Sequence, residues 1–407
     1  MNFLTSVYIV MFFFGIFFVM IFIIIHKKNL KSLYKSPEIT KYPLVSFLVP
    51  AFNEEKNIEN TIDAILKIDY PKGKKEIIII NDGSIDKTLE IARRLEKKHK
   101  EIKILDKPNS GKANSLNDAI KLVRGDLMAV TDADSYPNPD SLKNMVGHFE
   151  DEKVAAVTSR VLVKNKENWL EKFQVMDYSI IAWTRKLLDF VDSVYVTNGP
   201  LSIYRTEVVR KVGGFDPKNL TEDIEITWHI LNEGYKTRMS YNAIVYTTVP
   251  SKLKNWIKQR VRWNLGGIQT VHKYWRTMFK KGAFGYFVIP YVSASFVLAL
   301  IGFALLSRYL WVKGSYYLVS FYYAFKGYNF LKYTEFSISL TLLLFTASMF
   351  FILAIYYYKT GFKHSETGSK SIISILLYSF FYRSLYIIPL LIAIYKLTKG
   401  DIRWYTK

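Results

Sequence analysis

The sequence predicts an α/β domain built on a doubly wound, mostly parallel mixed sheet and joined to a bundle of α-helical membrane spans. Three observations carry that prediction. Between about residues 44 and 280, short apolar segments rich in Val and Ile alternate with charged amphipathic ones, the order expected when helices join the strands of a parallel sheet. An almost unbroken apolar run fills residues 4–25 and others come after residue 286, each long enough to cross about 30 Å of hydrocarbon. Polar residues gather at the ends of the apolar segments, where open α/β sheets bind ligands.

The N-terminal run is followed at once by His26, Lys27, Lys28, Lys31 and Lys35. A secretory leader would have its basic residues first, then a shorter apolar core and a small-residue cleavage site, so residues 1–26 read as a retained anchor. Its basic flank places the adjoining α/β domain in the cytosol, in a multi-pass protein of the cell membrane. VSFLVP, EIIIIND, IKILDKP and DLMAVTDAD read as buried parallel strands. NIENTIDAIL and KTLEIARRLEKKHK supply helices between them. This soluble domain is expected over residues 27–250, with amphipathic interface helices over 251–285, three or four spans over 286–395 and a basic tail over 396–407. Clear spans lie near residues 286–306, 336–356 and 372–394. The tract 311–332 is rich in Tyr and Phe but carries Lys313, Lys326 and Lys332, which suits an interfacial, re-entrant or crossing segment. Lys396, Lys399, Arg403 and Lys407 favour a cytosolic C-terminus.

Composition narrows the chemistry. The 407 residues are 50% hydrophobic with a formal net charge of +21, a balance suited to nucleic acid, an anionic membrane surface or phosphate-bearing ligands. The basic residues cluster beside apolar spans and on helices instead of in a nucleic-acid module, so the lipid bilayer is an expected partner and nucleic acid is not. With no Cys and six His, thiolate sites are excluded and any metal is expected on oxygen.

The predicted strands end in PAFNEE (residues 50–55), NDGS (81–84) and TDADS (131–135). Asp, Asn, Gly and Ser serve turns for backbone reasons, but three acidic exits on one sheet edge also suit a site. Asp132 and Asp134 flank a single residue, a spacing that lets two carboxylates leave a strand end toward one pocket and hold Mg²⁺ or Mn²⁺ with a hydroxylated ligand. KPNSGKANSLNDAI puts Gly111 and Lys112 just ahead of a helix, where N–H groups and an ammonium can meet phosphate; the Walker spacing is absent. TEDIEITWHI opens with Glu222 and Asp223, and Ile224, Trp228 and Leu231 then keep helical spacing, so the two acids also fit a helix first turn. WIKQRVRWNLGG places Gln259, Arg262 and Trp263 on one helix face, which serves either a diphosphate and a sugar ring or a membrane interface.

In this order, PAFNEE, NDGS, NxGKAxxLN, DAD, GGFD followed by TED, and QRVRW resemble the motif series of membrane-embedded family 2 glycosyltransferases. The closest likeness is to poly-N-acetylglucosamine synthases, with hyaluronan, chitin and cellulose synthases more distant, and it covers about residues 45–267. The resemblance implies a cytosolic GT-A domain, Rossmann-like in its sheet, that transfers a sugar from a UDP-sugar to a growing β-linked polysaccharide with inversion, and feeds the product into its own helices. By the same resemblance, Ala51, Asn53, Glu55 and Asp82 line the uridine site, Lys112 lies near the diphosphate or base, Asp132 contacts the nucleotide, and Asp134 binds Mg²⁺ or Mn²⁺. Asp223 is the general base and Glu222 shapes the acceptor edge. Gly199 lies in the acceptor-side turn, and Gln259, Arg262 and Trp263 hold donor diphosphate and acceptor sugar.

Inversion by single displacement needs one base on the acceptor side and no protein acid for the leaving group, where a cation with Arg262 and Lys112 can stabilise the diphosphate. TNGPLSIYR (197–205), with Pro200, stands where related synthases have a small-residue run, which leaves acceptor and linkage open. Only one span precedes the domain, and any partner subunit is unspecified. The competing enzymatic reading transfers one sugar to a polyprenyl phosphate or lipid-linked oligosaccharide. A non-catalytic lipid-binding scaffold would have no use for Asp134 and Asp223.

Overall fold

The computed structural model describes residues 3–326, 338–366, 368 and 370–400. Eight strands form one sheet: β1 (Val45–Ala51), β2 (Lys75–Asp82), β3 (Ile102–Lys107), β4 (Leu127–Val130), β5 (Ser135–Pro137), β6 (Val154–Val163), β7 (Ser202–Arg205) and β8 (Lys236–Thr247). Their spatial order is β3-β2-β1-β4-β7-β6-β8-β5. The first four strands are mutually parallel, as their sequence segments predict, and β6 runs parallel to β8. β7 is antiparallel to both its neighbours and β5 is antiparallel to β8, so the sheet is mixed.

Covering helices on both faces explain why β1 and β2 read as continuous apolar runs. Successive side chains on a strand point to opposite faces. Phe47, Val49, Ile77 and Ile79 therefore meet the Ile58–Leu66 and Ser141–Val146 helices, while Leu48, Ile78 and Ile80 meet residues of the Lys112–Ile120, Thr206–Lys211 and Glu222–Asn232 helices. The Glu222–Asn232 helix uses two stripes. Ile226 and Ile230 pack toward the sheet, whereas the predicted Ile224, Trp228 and Leu231 stripe packs against Tyr274, Phe284 and Ile289 of the membrane-proximal region.

Among the described residues four helices are long and apolar enough to cross a membrane: Thr5–Ser32, Phe284–Val312, Leu342–Lys363 and Ile372–Thr398. The Ile289–Phe325 helix runs unbroken for 37 residues, about 55 Å at 1.5 Å per residue. Through Phe325 the Tyr- and Phe-rich tract thus continues the preceding span. Its end, including Lys332, and Arg403 and Lys407 of the tail lie outside the described residues. The Trp169–Asp189 helix is wedged between the sheet and these spans: Trp183 packs with Phe22, Tyr241 and Tyr357, and Leu170 and Met176 pack with Trp256, Phe362 and Tyr378. An Asn168 and Glu171 capping box fixes where that helix begins.

The Leu253–Tyr274 helix meets the entrance to the Glu222–Asn232 helix at Gly266, where an added Cβ would lie 2.1 Å from Thr221 Oγ1 and 2.8 Å from Thr221 Cβ. Thr221 is buried, and its N–H and hydroxyl both donate to Asn219 Oδ1 at 2.9 and 3.1 Å, so it has no room to swing away. Gly266→Ala should lower stability by about 1–3 kcal/mol. Thermal unfolding in detergent would read that loss, and Thr221→Ala added to it should recover part, because it removes the nearest atoms.

Candidate active site

Because β4 and β7 are antiparallel, the exit of β4 and the turn that leads into β7 share one sheet edge, with Val130 opposite Ser202. Asp132 donates its backbone N–H to Gly199 O at 3.1 Å. A Cβ on Gly199 would lie 2.5 Å from Asp132 Oδ2, so glycine is what lets the carboxylate close over that turn. From the other side comes Lys112, the first residue of its helix. Its Nζ lies 2.7 Å from Asp132 Oδ1 and 2.7 Å from Glu222 Oε1. Three segments far apart in sequence thereby converge on one ammonium. Burial opposes its charge, but the carboxylates of Asp132, Glu222 and Asp223 outweigh burial and hold its pKa above the ordinary lysine value.

Asp223 stands beside this bridge without an ion pair of its own among the described residues. Its Oδ1 accepts from the N–H of Ile224 at 2.9 Å, and its carbonyl accepts from the Thr227 hydroxyl at 2.6 Å. Burial first, then the Glu222 charge, push its carboxyl up to about 6; Lys112 and Arg262 pull the other way, and Asp132 adds to the rise. A carboxyl ionised at neutral pH but more basic than an exposed aspartate is suited to taking a proton. Thr197, Thr227 and Tyr204 form a buried hydroxyl chain behind it, with Thr197 Oγ1 2.6 Å from Thr227 Oγ1 and 2.8 Å from Tyr204 Oη.

The remaining strand exits build the neighbouring wall. Ala51 closes β1, buried beside Asn81. Asn53, at φ 56°, donates its N–H to Ser84 Oγ at 3.1 Å, and its side-chain oxygen accepts from the Ile85 N–H at 3.0 Å. Glu55 Oε2 accepts from the Lys87 N–H at 3.1 Å. Asp82 turns inward: it accepts from the N–H groups of Ser110 and Gly111 at 2.9 and 3.0 Å and from Ser115 Oγ at 2.7 Å. Asp82 therefore fixes the loop that presents Lys112. Asn117, in the same motif, exchanges two 2.8 Å hydrogen bonds with the backbone of Phe215 in GGFD, so these two motifs form one structural unit.

Gln259, Arg262 and Trp263 share the half-buried face of the Leu253–Tyr274 helix, as their spacing predicts. Arg262 is near enough for its charge to act on Asp223. What the sequence did not reveal is Arg260 between them, 1% exposed and 3.5 Å from the fully buried Asp177. No spacing rule links these residues, which are 83 positions apart. Arg185, which donates to Asn198 Oδ1 in the turn that leads into β7, was missed for the same reason.

Among the described residues no group of three or more His, Cys, Asp or Glu side chains is arranged to hold a metal ion. Asp132 is engaged by Lys112, and Asp134, partly exposed at the same strand exit, is the second carboxylate of the pair. One protein oxygen donor fits a hard dication whose shell is completed by water and a substrate diphosphate, the usual habit of Mg²⁺.

A mixed sheet whose β4 exit carries an Asp-x-Asp pair, facing an acid at a helix start, defines a GT-A glycosyltransferase fold. The fold is similar to that of the mannosyltransferase PcManGT from Pyrobaculum calidifontis in complex with GDP-Man and Mn²⁺, with a TM-score of 0.61, 21% identity, and coverage of 87% of this chain and 98% of that one. Residues 43–266 match the family described as "Glycosyltransferase like family 2", and the chain belongs to that family. It is 33% identical over 264 residues to the poly-beta-1,6-N-acetyl-D-glucosamine synthase of Staphylococcus aureus strain COL, an alignment spanning 64% of each chain. It is 30% identical over 344 residues to the synthase of that name from Staphylococcus epidermidis, spanning 83% of this chain and 79% of that one.

The Asp223 carboxyl sits at about 6 in the folded chain against an ordinary 3.8. The folded state therefore binds more protons between about pH 4 and 6 and loses stability as pH rises through that window. Asp223→Asn should unfold at a higher temperature than the native chain at pH 8, and the difference should close by pH 4.

Proposed function

We propose that the protein is an integral-membrane inverting glycosyltransferase that moves N-acetylglucosamine from UDP-N-acetylglucosamine to the growing end of a β-linked polysaccharide, with its catalytic domain on the cytosolic side of the cell membrane. The observation that carries this reading is the half-buried Asp223 carboxyl, next to a Lys112 ammonium held by Asp132 and Glu222. Asp223 takes the proton of the acceptor hydroxyl as its oxygen forms the new bond to the anomeric carbon; the bond from that carbon to the diphosphate oxygen breaks on the opposite face, and UDP leaves. Lys112 and Arg262 face the charge that develops on the diphosphate. Glu222 keeps Lys112 aimed at the site, and Trp263 offers a ring for the acceptor sugar with Gln259 beside it. Ala51, Asn53 and Glu55 shape the uridine wall, Asp82 supports it by fixing the loop ahead of Lys112, and Gly199 gives Asp132 access to the nucleotide. Asp134 would hold Mg²⁺ or Mn²⁺, which when bound supplies positive charge to the leaving diphosphate. The synthase relatives support the sugar and the polymer, and the apolar helices support the bilayer as a partner.

The test is turnover of UDP-N-acetylglucosamine by detergent-purified protein with Mg²⁺ or Mn²⁺ and no added acceptor, with products separated by size. Long polymer is expected from the native chain, and Asp223→Asn should lower turnover by about 10²–10⁴-fold. A single sugar transferred only when polyprenyl phosphate is supplied would replace this reading with lipid-linked transfer. EDTA should abolish turnover and added Mn²⁺ should restore it.

Turnover should fall as pH drops through about 6, because protonated Asp223 cannot accept a proton. Lys112 lowers the Asp223 pKa, so the residual activity of Lys112→Met should show its acid limb at higher pH than the native enzyme.

A further inference from the structure

We propose that Arg260 and Asp177 form a buried positioning pair that fixes Gln259 and Trp263 and ties them to the last membrane segment. The proposal rests on the reading of Gln259, Arg262 and Trp263 as substrate contacts. Asp177, on the Trp169–Asp189 helix, is fully buried and uses both oxygens. Its Oδ1 accepts from Tyr378 Oη at 2.9 Å and lies 3.3 Å from Arg383 Nη1. Its Oδ2 accepts from Tyr386 Oη and lies 3.5 Å from Arg260 Nη2. Arg260 then donates through Nε to Tyr386 Oη at 3.0 Å and through Nη1 to Gln259 Oε1 at 2.8 Å, and its guanidinium carbon stands 3.9 Å from the centre of the Trp263 ring.

One buried cation thus holds the amide and the indole on either side of it. A buried ion pair adds little net stability over a well-packed apolar replacement, so packing alone does not account for it. A planar guanidinium does give direction, because its plane fixes the indole stack and its N–H fork fixes the amide together. The partner surface is unusual as well. The last segment leaves regular helix for a widened turn at Leu377–Tyr382 and a tight turn at Arg383–Tyr386, and these turns supply the three tyrosines and Arg383. Widened turns of this kind often occur at functional positions. Tyr382 completes the contact by accepting from Trp256 Nε1 at 3.1 Å, one helical turn before Arg260. A shift of the last segment would therefore pass through Asp177 to the residues proposed to grip substrate.

The experiment compares UDP release from UDP-N-acetylglucosamine by the native chain, Arg260→Gln, Arg260→Lys, Asp177→Asn, the Asp177→Asn/Arg260→Gln double variant and Trp263→Ala. Each is normalised to sites that bind UDP, so that misfolded protein does not count. Misplaced contacts can cost about 10²-fold. Arg260→Gln and Asp177→Asn should each lower kcat by about ten- to a hundredfold with donor KM changed by less than about threefold, and Arg260→Lys should recover part of the loss. The double variant should be no worse than the poorer single, because the two residues act as one unit. Native kcat per UDP site in Arg260→Gln, or fully additive losses, would overturn the pair while leaving the site reading intact if Trp263→Ala is impaired. Unimpaired Trp263→Ala would overturn the site reading, and this one with it.

Discussion

The site depends on one ammonium group. Lys112 lies 2.7 Å from a carboxylate of the β4 exit and 2.7 Å from another at the start of the Glu222–Asn232 helix. Without it, Asp132, Glu222 and Asp223 would be like charges crowded into a half-buried edge, an arrangement that raises pKa values and pushes the segments apart. With it, the sheet edge and the helix that carries Asp223 are held together, while burial and the Glu222 charge still raise the Asp223 carboxyl. Much of the surrounding structure holds that lysine in place: Asp82 bonds the loop ahead of it, and Asn117 locks its helix to GGFD.

The membrane-proximal parts serve the same geometry from the opposite side. Asp216 of GGFD and the buried Glu225 both meet Lys273, at 2.7 and 2.6 Å, and Tyr274 adds a bond to Glu225. Together with the close approach at Gly266, these contacts bind the Leu253–Tyr274 helix along the helix that carries Glu222 and Asp223. The Trp228 stripe then packs both against the start of the second span. Position of Asp223 is therefore not a property of the sheet domain alone; it is set jointly with the helices that are long and apolar enough to span a membrane.

Much of this was legible in the sequence, for identifiable reasons. The four parallel strands announced themselves because both of their faces are covered, which demands continuous apolar runs, and strand exits must carry polar turns. The ordered motifs pointed to Lys112, Asp132, Glu222 and Asp223, which lie together, and Gly199 joins them from the 197–205 turn that departs from related synthases. Pairings were not legible. Nothing local says that Lys112 bridges residues 20 and 110 positions away, or that Asp82, expected in the uridine wall, has its carboxylate turned into the 110–115 loop. Asp177 and Arg260 were invisible for a sharper reason: a buried charge breaks the apolar pattern of its helix and reads as a surface residue until its partner is seen. The long helix through Phe325 was obscured by lysines that, at a membrane boundary, need not end a helix.

Charge at this edge bears on the dication proposed for it. Asp132, Glu222 and Asp223 share this edge with the Lys112 ammonium, and the guanidinium groups of Arg262 and Arg185 also act on Asp223. A diphosphate diester would bring about two negative charges next to these carboxylates, in a partly desolvated site where Lys112 is already bonded to two of them. Such repulsion is too large to leave uncompensated at low effective dielectric. Lys112 cannot serve the diphosphate fully while it is bonded to both carboxylates, and releasing it raises the cost at Asp223. A dication entering with the donor would relieve both conflicts: it would neutralise the incoming charge and let Lys112 stay where it keeps Asp223 ionised. The pairing that holds this edge together would in this way also make a nucleotide arriving without its metal a poor fit.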